Sequence, residues 1–216
     1  MNEVIAVIPA RLGSKRVPDK NIRKFKDMTL IDFSIKAAKL CDDIHRIIVS
    51  TNDPRVEKIA KIQNVEVHWR PDHLATDTAG TFETLQHLYF SLEKNNEKLP
   101  EFFVLLQPTS PLREKNLIYS ALKSIRSDTT TTSLITVCEH KIFTGKIIDK
   151  YWVGDYPEDT RSQDINPIYY PSGSLFVYRC KETIKKNDAL GKYTIPVIEN
   201  PDKCVNIDYE SDFIRL

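Results

Sequence analysis

Apolar positions along this chain fall into two alternating rhythms. Short runs that are apolar at most positions occupy residues 4–8, 46–50 and 102–106, with a shorter run at 65–68 and a β-branched one at 133–138. Such runs are the pattern of strands covered on both faces. Between them lie segments with apolar residues three and four apart. Residues 30–40 gather Leu30, Ile31, Ser34, Ile35, Ala37 and Ala38 on one face, and 81–94 gather Phe82, Leu85, Leu88, Tyr89 and Leu92. Residues 54–62, opened by Pro54 behind Thr51-Asn52-Asp53, and 116–127 complete the predicted helices. Strand and helix in alternation predict a mostly parallel sheet in a three-layer α/β/α arrangement, with ligands bound beyond the carboxyl ends of the strands.

After residue 140 the rhythm breaks. Through residue 172 the chain alternates short polar and aromatic patches, including Lys146-Ile-Ile-Asp-Lys-Tyr-Trp-Val153 and Ile168-Tyr-Tyr170. This predicts a small hairpin excursion rather than another strand–helix unit. The chain then returns through a strand at 174–178, a short helix near 182–186 and a strand at 193–197. No internal repeat or linker interrupts it, so residues 1–216 read as a single domain with the excursion (140–172) inside it.

Composition narrows the classes of function. With 216 residues, 41% hydrophobic content and a net charge of +1, the chain has a sizeable core and no global field. Nucleic-acid binding would call for a more basic surface and a stacking platform, so no nucleic-acid partner is expected. No stretch approaches the ~20 apolar residues of a membrane span, and the first apolar run is too short for a signal-peptide core. The cysteines Cys41, Cys138, Cys180 and Cys204 form no C-x-x-C pair. Cys138 and Cys204 end apolar runs and read as core thiols, which fits a reducing cytoplasm.

Candidate chemistry begins where the first strand ends. Residues 9–21 form a loop carrying Arg11, Ser14, Lys15, Arg16, Lys20 and Asn21, with the small residues Ala10, Gly13 and Ser14 between the cations. Backbone N–H groups and cationic heads together suit a polyphosphate. The loop is neither a G-x-x-x-x-G-K-[ST] nor a G-x-G-x-x-G motif. Gln107 follows the strand at 102–106 and presents an amide that either reads a base or sugar edge or ties down the turn. Arg70, stiffened by Pro71, either points to the pocket edge or pairs with Asp72 or Asp77. Asp208, in Asn206-Ile-Asp208, either holds Mg²⁺ against phosphate oxygens or caps a helix beginning at Tyr209. The five histidines are scattered and form no H-E-x-x-H.

Taken together, these segments resemble one family. Ile8-Pro-Ala-Arg-Leu-Gly-Ser-Lys15 with Lys20-Asn21, Arg70-Pro-Asp-His-Leu-Ala-Thr-Asp-Thr78, Leu105-Leu-Gln-Pro-Thr-Ser-Pro-Leu-Arg113 and Asn206-Ile-Asp-Tyr-Glu-Ser-Asp-Phe213 look like the acylneuraminate cytidylyltransferases. Arg161-Ser-Gln-Asp164 resembles that family's Arg-x-Gln element, and the resemblance spans essentially the whole chain. It implies a Rossmann-like nucleotidyltransferase that joins CMP from CTP to the anomeric 2-hydroxyl of a sialic-acid-like nine-carbon keto acid and releases pyrophosphate. By the same resemblance Arg11 and Lys15 are catalytic. Arg11, Ser14, Lys15, Lys20, Asn21, Arg70 and Thr81 bind the nucleotide, and Gln107, Arg161, Gln163 and Ser172 bind the sugar. Asp208 with Asn206 holds Mg²⁺ or another divalent cation. The family's typical homodimer, with the excursion as its arm, is also implied.

Three departures from the family pattern are visible. Asn206 stands where many members have Asp. Tyr170-Pro-Ser-Gly173 replaces Arg-x-Asn-Gly, and Ala189-Leu190 falls near an aromatic pair that several sialic acid enzymes set against the acyl group. They suggest a related nonulosonate such as legionaminate or pseudaminate. The alternatives are a Kdo-type synthetase acting on an eight-carbon keto acid and a non-catalytic nucleotide-binding paralogue.

Overall fold

A computed structural model describes residues 3–215. Its elements are β1 (Val4–Pro9), the two-residue β2 (Lys24–Phe25) and β3 (Met28–Thr29), α1 (Leu30–Lys39), β4 (Arg46–Thr51), α2 (Pro54–Ile62), β5 (Glu66–Trp69), α3 (Thr81–Lys94) and β6 (Phe102–Leu105). Then come α4 (Leu117–Ser127), β7 (Ser133–His140), β8 (Gly145–Ile148), β9 (Tyr151–Gly154), β10 (Ile168–Arg179) and β11 (Thr194–Ile198). The helices predicted at 30–40, 54–62, 81–94 and 116–127 form, and the starts of α1 and α2 have local causes. The Asp32 carboxylate accepts from the Thr29 N–H at 2.8 Å ahead of α1. Pro54 opens α2 while Asp53 Oδ1 accepts from the Arg55 N–H at 2.9 Å.

Seven strands form one sheet in the order β11-β7-β10-β6-β1-β4-β5. β1 runs parallel to β4 and β6, β4 parallel to β5, and β11 parallel to β7. Only β10 is antiparallel, inserted between β6 and β7. The mostly parallel α/β/α fold expected from the sequence is therefore the fold observed. Along β1 the side chains divide between two cores. Val4, Ala6 and Ile8 pack with Ile31, Ile35, Val56, Ala60, Ile118 and Leu122 of α1, α2 and α4. Ile5 and Val7 pack with Leu85, Leu88, Tyr89 and Leu92 of α3. Burying both faces is what makes the strand apolar at every position.

Four local expectations are corrected. The strand expected at 174–178 is part of the longer β10, whose register shifts between Pro171 and Phe176. Its first residues, Ile168 to Pro171, pair with Val137 to His140 and carry the ribbon beyond the sheet. Residues 182–186 form turns instead of a helix, closed by Thr183 N–H to Arg179 O and Lys185 N–H to Cys180 O, both at 3.0 Å. Leu190 sits at the amino end of β7, its carbonyl accepting from the Thr132 and Ser133 hydroxyls, at the far end of the sheet from the cleft described below. Ala189 and Leu190 therefore take no part in that cleft. Cys138 and Cys204 are joined in a disulfide, their Cα atoms 5.9 Å apart across 66 residues of sequence. The pairing comes from the fold, which brings the turn after Pro201–Lys203 against the end of β7, and sequence spacing carries no sign of it. Cys41 and Cys180 are free and buried.

Candidate active site

β4 and β5 lie on one side of β1 and β6 on the other, so the chain reverses its outward course between β1 and β6. Such a switch point opens a crevice at the carboxyl ends of the strands. Here the crevice is a cleft of about 290 Å³ lined by Pro9, Arg11, Ser14, Lys20, Asn21, Arg70, Ala79, Thr81, Gln107, Pro108, Thr109, Asn206 and Asp208. Of the predicted site residues, the fold thus brings together Arg11, Ser14, Lys20, Asn21, Arg70, Thr81, Gln107, Asn206 and Asp208. Lys15 stands at the mouth, in an adjoining hollow with Arg11, Ser14, Arg16, Lys20, Asp77 and Asp208.

The cation-rich loop is held by backbone contacts that its sequence provides. Ala10 N–H donates to Ser50 O at 2.9 Å and Thr51 Oγ1 to Ala10 O at 2.6 Å, fastening the loop to the end of β4. Asn52 Oδ1 accepts from Leu12 N–H at 2.8 Å, and Asn21 Nδ2 donates to Arg11 O at 3.0 Å. Gly13 has φ +83°, the left-handed region that a side chain would strain. From this frame Arg11 reaches Asp77 Oδ1 at 2.6 Å, and Lys15 reaches the other oxygen of the same carboxylate at 2.5 Å. Asp77 is a site residue the spacing did not identify, because it lies 66 residues from Arg11. The two cations hold its carboxyl below the usual carboxylate range.

Arg70 is the most constrained cation. It is 4% exposed and donates to Ser50 O at 3.1 Å and Leu74 O at 3.5 Å. Among the described residues its Nε has no hydrogen-bond partner, and no carboxylate pairs with it. The surface ion pair with Asp72 or Asp77 considered from the sequence is thereby excluded. Burial first, then the Arg11 charge, lower its pKa to about 10. A buried guanidinium with an orphaned N–H, in a cleft also lined by Arg11 and Lys20, is chemistry that an anion satisfies. The amino end of α3, at Gly80 and Thr81, adds its dipole to the same cleft.

Asp208 faces Lys20 Nζ at 3.4 Å and Arg16 Nη1 at 3.6 Å and stays partly exposed. Lys20 is held by Ile207 O at 2.8 Å, and its pKa is lowered chiefly by burial. The helix-cap alternative for Asp208 is excluded, since Asp212 Oδ2 accepts from the N–H groups of Asp208 and Tyr209 at 2.8 Å. Asn206 Nδ2 donates to Asp208 Oδ2 at 2.9 Å, so its amide presents N–H to that carboxylate. Among the described residues no three acidic, His or Cys side chains cluster as a metal cage. One accessible carboxylate still fits Mg²⁺, which takes one or two carboxylates and completes its shell with water and phosphate oxygens.

The remaining predicted residues lie elsewhere. Arg161 is exposed and pairs with Asp164 at 2.6 Å, and Gln163 is exposed with its carbonyl accepting from Lys141 at 3.1 Å. Both ride on the excursion, outside the cleft. Ser172 is buried, its hydroxyl 2.6 Å from Thr136 Oγ1 and accepting from the Ser174 N–H, so it is engaged within the wall.

Comparison with known proteins decides the family. The family model described as Cytidylyltransferase matches residues 5–189. The chain belongs to the cytidylyltransferase family. It is 31% identical over 219 residues to the CMP-N,N'-diacetyllegionaminic acid synthase of Legionella pneumophila, covering 97% of this chain and 93% of that protein. It is 29% identical over 218 residues to an N-acylneuraminate cytidylyltransferase of Escherichia coli, covering 98% of this chain and 50% of the relative. The chain thus spans about half the length of several of the curated relatives it matches. A solved CMP:2-keto-3-deoxy-manno-octonic acid synthetase complexed with CTP shares the fold, with a TM-score of 0.70 at 16% identity over 99% of this chain and 97% of that one.

Beside the cleft, Ser50 Oγ, His68 and His87 form a chain of contacts at 3.0 and 2.9 Å. Burial, then the His87 and Arg70 charges, lower the His68 pKa to about 4. The folded protein therefore keeps His68 neutral where the unfolded chain would protonate it, near 6.5. Stability from this group is fully present above about pH 6.5 and is lost as the pH falls towards 4. His68→Gln should flatten the loss of stability on acidification by on the order of 1–3 kcal/mol, read as urea midpoints at pH 7.5 and pH 5. Identical acid slopes in the two proteins would remove His68 from the account.

Proposed function

We propose that this protein transfers CMP from CTP to the anomeric hydroxyl of a nonulosonate sugar, releasing pyrophosphate. The observation that carries the reading is Arg70, buried with an orphaned Nε among Arg11, Lys20 and the amino end of α3. The lining cations Arg11, Lys15, Arg16, Lys20 and Arg70 outnumber the lining carboxylates Asp77 and Asp208, in a protein whose net charge is +1. The excess positive charge is local and matches a triphosphate.

In the proposed reaction the sugar hydroxyl attacks the α-phosphorus in line. A P–O bond forms to the sugar as the bond to pyrophosphate breaks, and the hydroxyl proton is released to solvent water. The work of this chain is positioning and charge neutralisation. Arg70 and Lys20 grip phosphate oxygens from the floor, and Asn21 holds the loop that aims Arg11. Lys15, on a flexible stem at the mouth, exchanges Asp77 for the phosphate on which charge builds. Gln107 faces the sugar from the end of β6. Asp208 would hold Mg²⁺, which would neutralise triphosphate charge when bound. Asn206 would have to turn its amide to lend an oxygen.

The sugar is read as a sialic-acid-like nonulosonate, with legionaminate favoured by the relative matched over 93% of its length. Of the departures noted in the sequence, Ala189 and Leu190 no longer bear on the choice. CTP also favours the cytoplasm; the Cys138–Cys204 disulfide is the observation that pulls the other way. The excursion exposes Phe143, Ile147, Ile148, Tyr151, Trp152, Val153, Tyr169 and Tyr170. An apolar surface this dense fits the arm of a homodimer. Sugar contacts by Arg161 and Gln163 would then require the second copy.

Pyrophosphate release with CTP, Mg²⁺ and a panel of N-acetylneuraminate, legionaminate, pseudaminate and Kdo tests the reading; no release with any nonulosonate refutes it. Lys15→Ala should lower kcat about 10²–10³-fold in a folded protein; near-normal turnover would exclude Lys15 from the chemistry. Asp208→Asn should abolish Mg²⁺-dependent turnover while stability stays within about 1 kcal/mol; retained turnover would move the metal elsewhere. Sedimentation should find a dimer that Trp152→Glu dissociates, and a monomeric parent protein would discard the arm.

A further inference from the structure

The cation-rich loop is fastened to the end of β4 twice, and the second fastening uses side chains to which the proposed chemistry gives no role. At the start of the loop Thr51 and Asn52 hold Ala10 and Leu12. The second fastening begins one residue further on. Asp53 is 4% exposed, and its N–H donates to Thr51 Oγ1 at 2.9 Å. Its two carboxylate oxygens accept from Arg55 Nε at 3.1 Å and Arg55 Nη2 at 2.8 Å, a two-point grip on one planar guanidinium. The same Nη2 donates to Asp19 Oδ1 at 2.7 Å, 36 positions back in the chain. A buried carboxylate thus fixes an exposed arginine, and the arginine holds the far end of the loop.

Asp19 is the residue from which Lys20 and Asn21 depart. Its φ of 55° and ψ of 26° are left-handed, a conformation that most side chains resist and a short polar one tolerates. Asp19 O accepts from Ile22 N–H at 3.0 Å and closes the single turn Lys20–Ile22. From that turn Lys20 Nζ reaches Ile207 O at 2.8 Å and Asp208 Oδ1 at 3.4 Å, and Asn21 reaches Arg11 O at 3.0 Å. Upstream, Val17 is fully buried and Pro18 has its φ fixed by the ring. Asp19 is therefore the soft joint between a buried anchor and the cleft. The Arg55–Asp19 contact is exposed on both sides, so it contributes little to stability. What it can do is hold a direction.

We propose that Arg55 is a positioning residue for nucleotide binding: gripped by Asp53, it fixes Asp19 and so the direction in which Lys20 meets the triphosphate. The proposal rests on the reading that Lys20 grips phosphate. The test is the Kd of the full chain for CTP with Mg²⁺, by titration calorimetry at fixed ionic strength, with the thermal midpoint of each variant beside it. Arg55→Ala should weaken CTP binding about tenfold. Asp19→Asn, which keeps a residue that tolerates the left-handed backbone, should weaken it about threefold. Both midpoints should stay near that of the parent protein. The sign at Asp19 separates positioning from plain charge. Through the field alone, loss of an anion beside this loop would tighten an anionic ligand, whereas loss of positioning weakens it. The double variant should be no worse than Arg55→Ala, because both changes remove one contact. Should Arg55→Ala not fold, Arg55→Lys, which keeps the charge and loses the fork, carries the same comparison. Lys20→Ala tells the positioning role from the reading beneath it. If it weakens CTP while the folded Arg55 and Asp19 variants bind as the parent does, or Asp19→Asn binds more tightly, the positioning role is overturned alone. If Lys20→Ala is silent, or the parent binds no CTP, the reading of Lys20 falls and the role of Arg55 falls with it.

Discussion

Strand β1 is paired on both edges and buried on both faces, and the cleft follows from that. Its neighbours β4 and β6 are reached by chain travelling in opposite directions, so the loops leaving β1 and β6 part instead of covering one another. Besides the ladder bonds, apolar side chains hold this centre: Val4, Ile5, Ala6, Val7 and Ile8 are fully buried, as are Phe102, Phe103 and Val104 beside them. Each such side chain contributes roughly 1–3 kcal/mol by leaving water. Polar residues are displaced to the strand ends, where one edge of the sheet collects them.

That edge is electrostatically unbalanced by design of the chain. Arg11 and Lys15 share Asp77, Arg16 and Lys20 share Asp208, and Arg70 has only carbonyls. Pairs as exposed as Lys15–Asp77 contribute little to stability. Their effect is to hold these flexible heads near the mouth of the cleft. Arg70 differs in kind. It is fixed by burial, cannot relax into water, and carries its cost permanently in the folded state.

Much of this was readable from residue order, and the misses have physical causes. Both-face burial makes strands 4–8 and 102–106 conspicuous, and α1, α2 and α3 carry clear apolar faces with a cap or a proline at their starts. The cation-rich loop was legible as a feature because small residues and cations interleave within a dozen positions, and the fold places it at the cleft. What failed depends on contacts distant in sequence. Asp77 reaches Arg11 across 66 positions, and Cys138 reaches Cys204 across the same number. β10 was truncated because Pro171 and Gly173 resemble strand breakers, whereas they sit at the register shift where ladder bonds are interrupted. Residues 182–186 have helix-forming composition, yet Thr183 and Ile184 are fully buried and the chain must turn to bury both.

Gly173 restricts how this chain can diverge. Its φ of +80° disfavours every side chain on backbone grounds, and a Cβ would also press on Gln107 and Ser110. A substitution there meets strain and steric conflict at once, so no single change at this position offers a gradual route to a different pocket. Variation in this stretch of β10 is left to the positions around it, such as Tyr170, where exposed side chains can change without moving the backbone. This stretch of β10 therefore combines one position closed to any side chain with a neighbouring rim open to them.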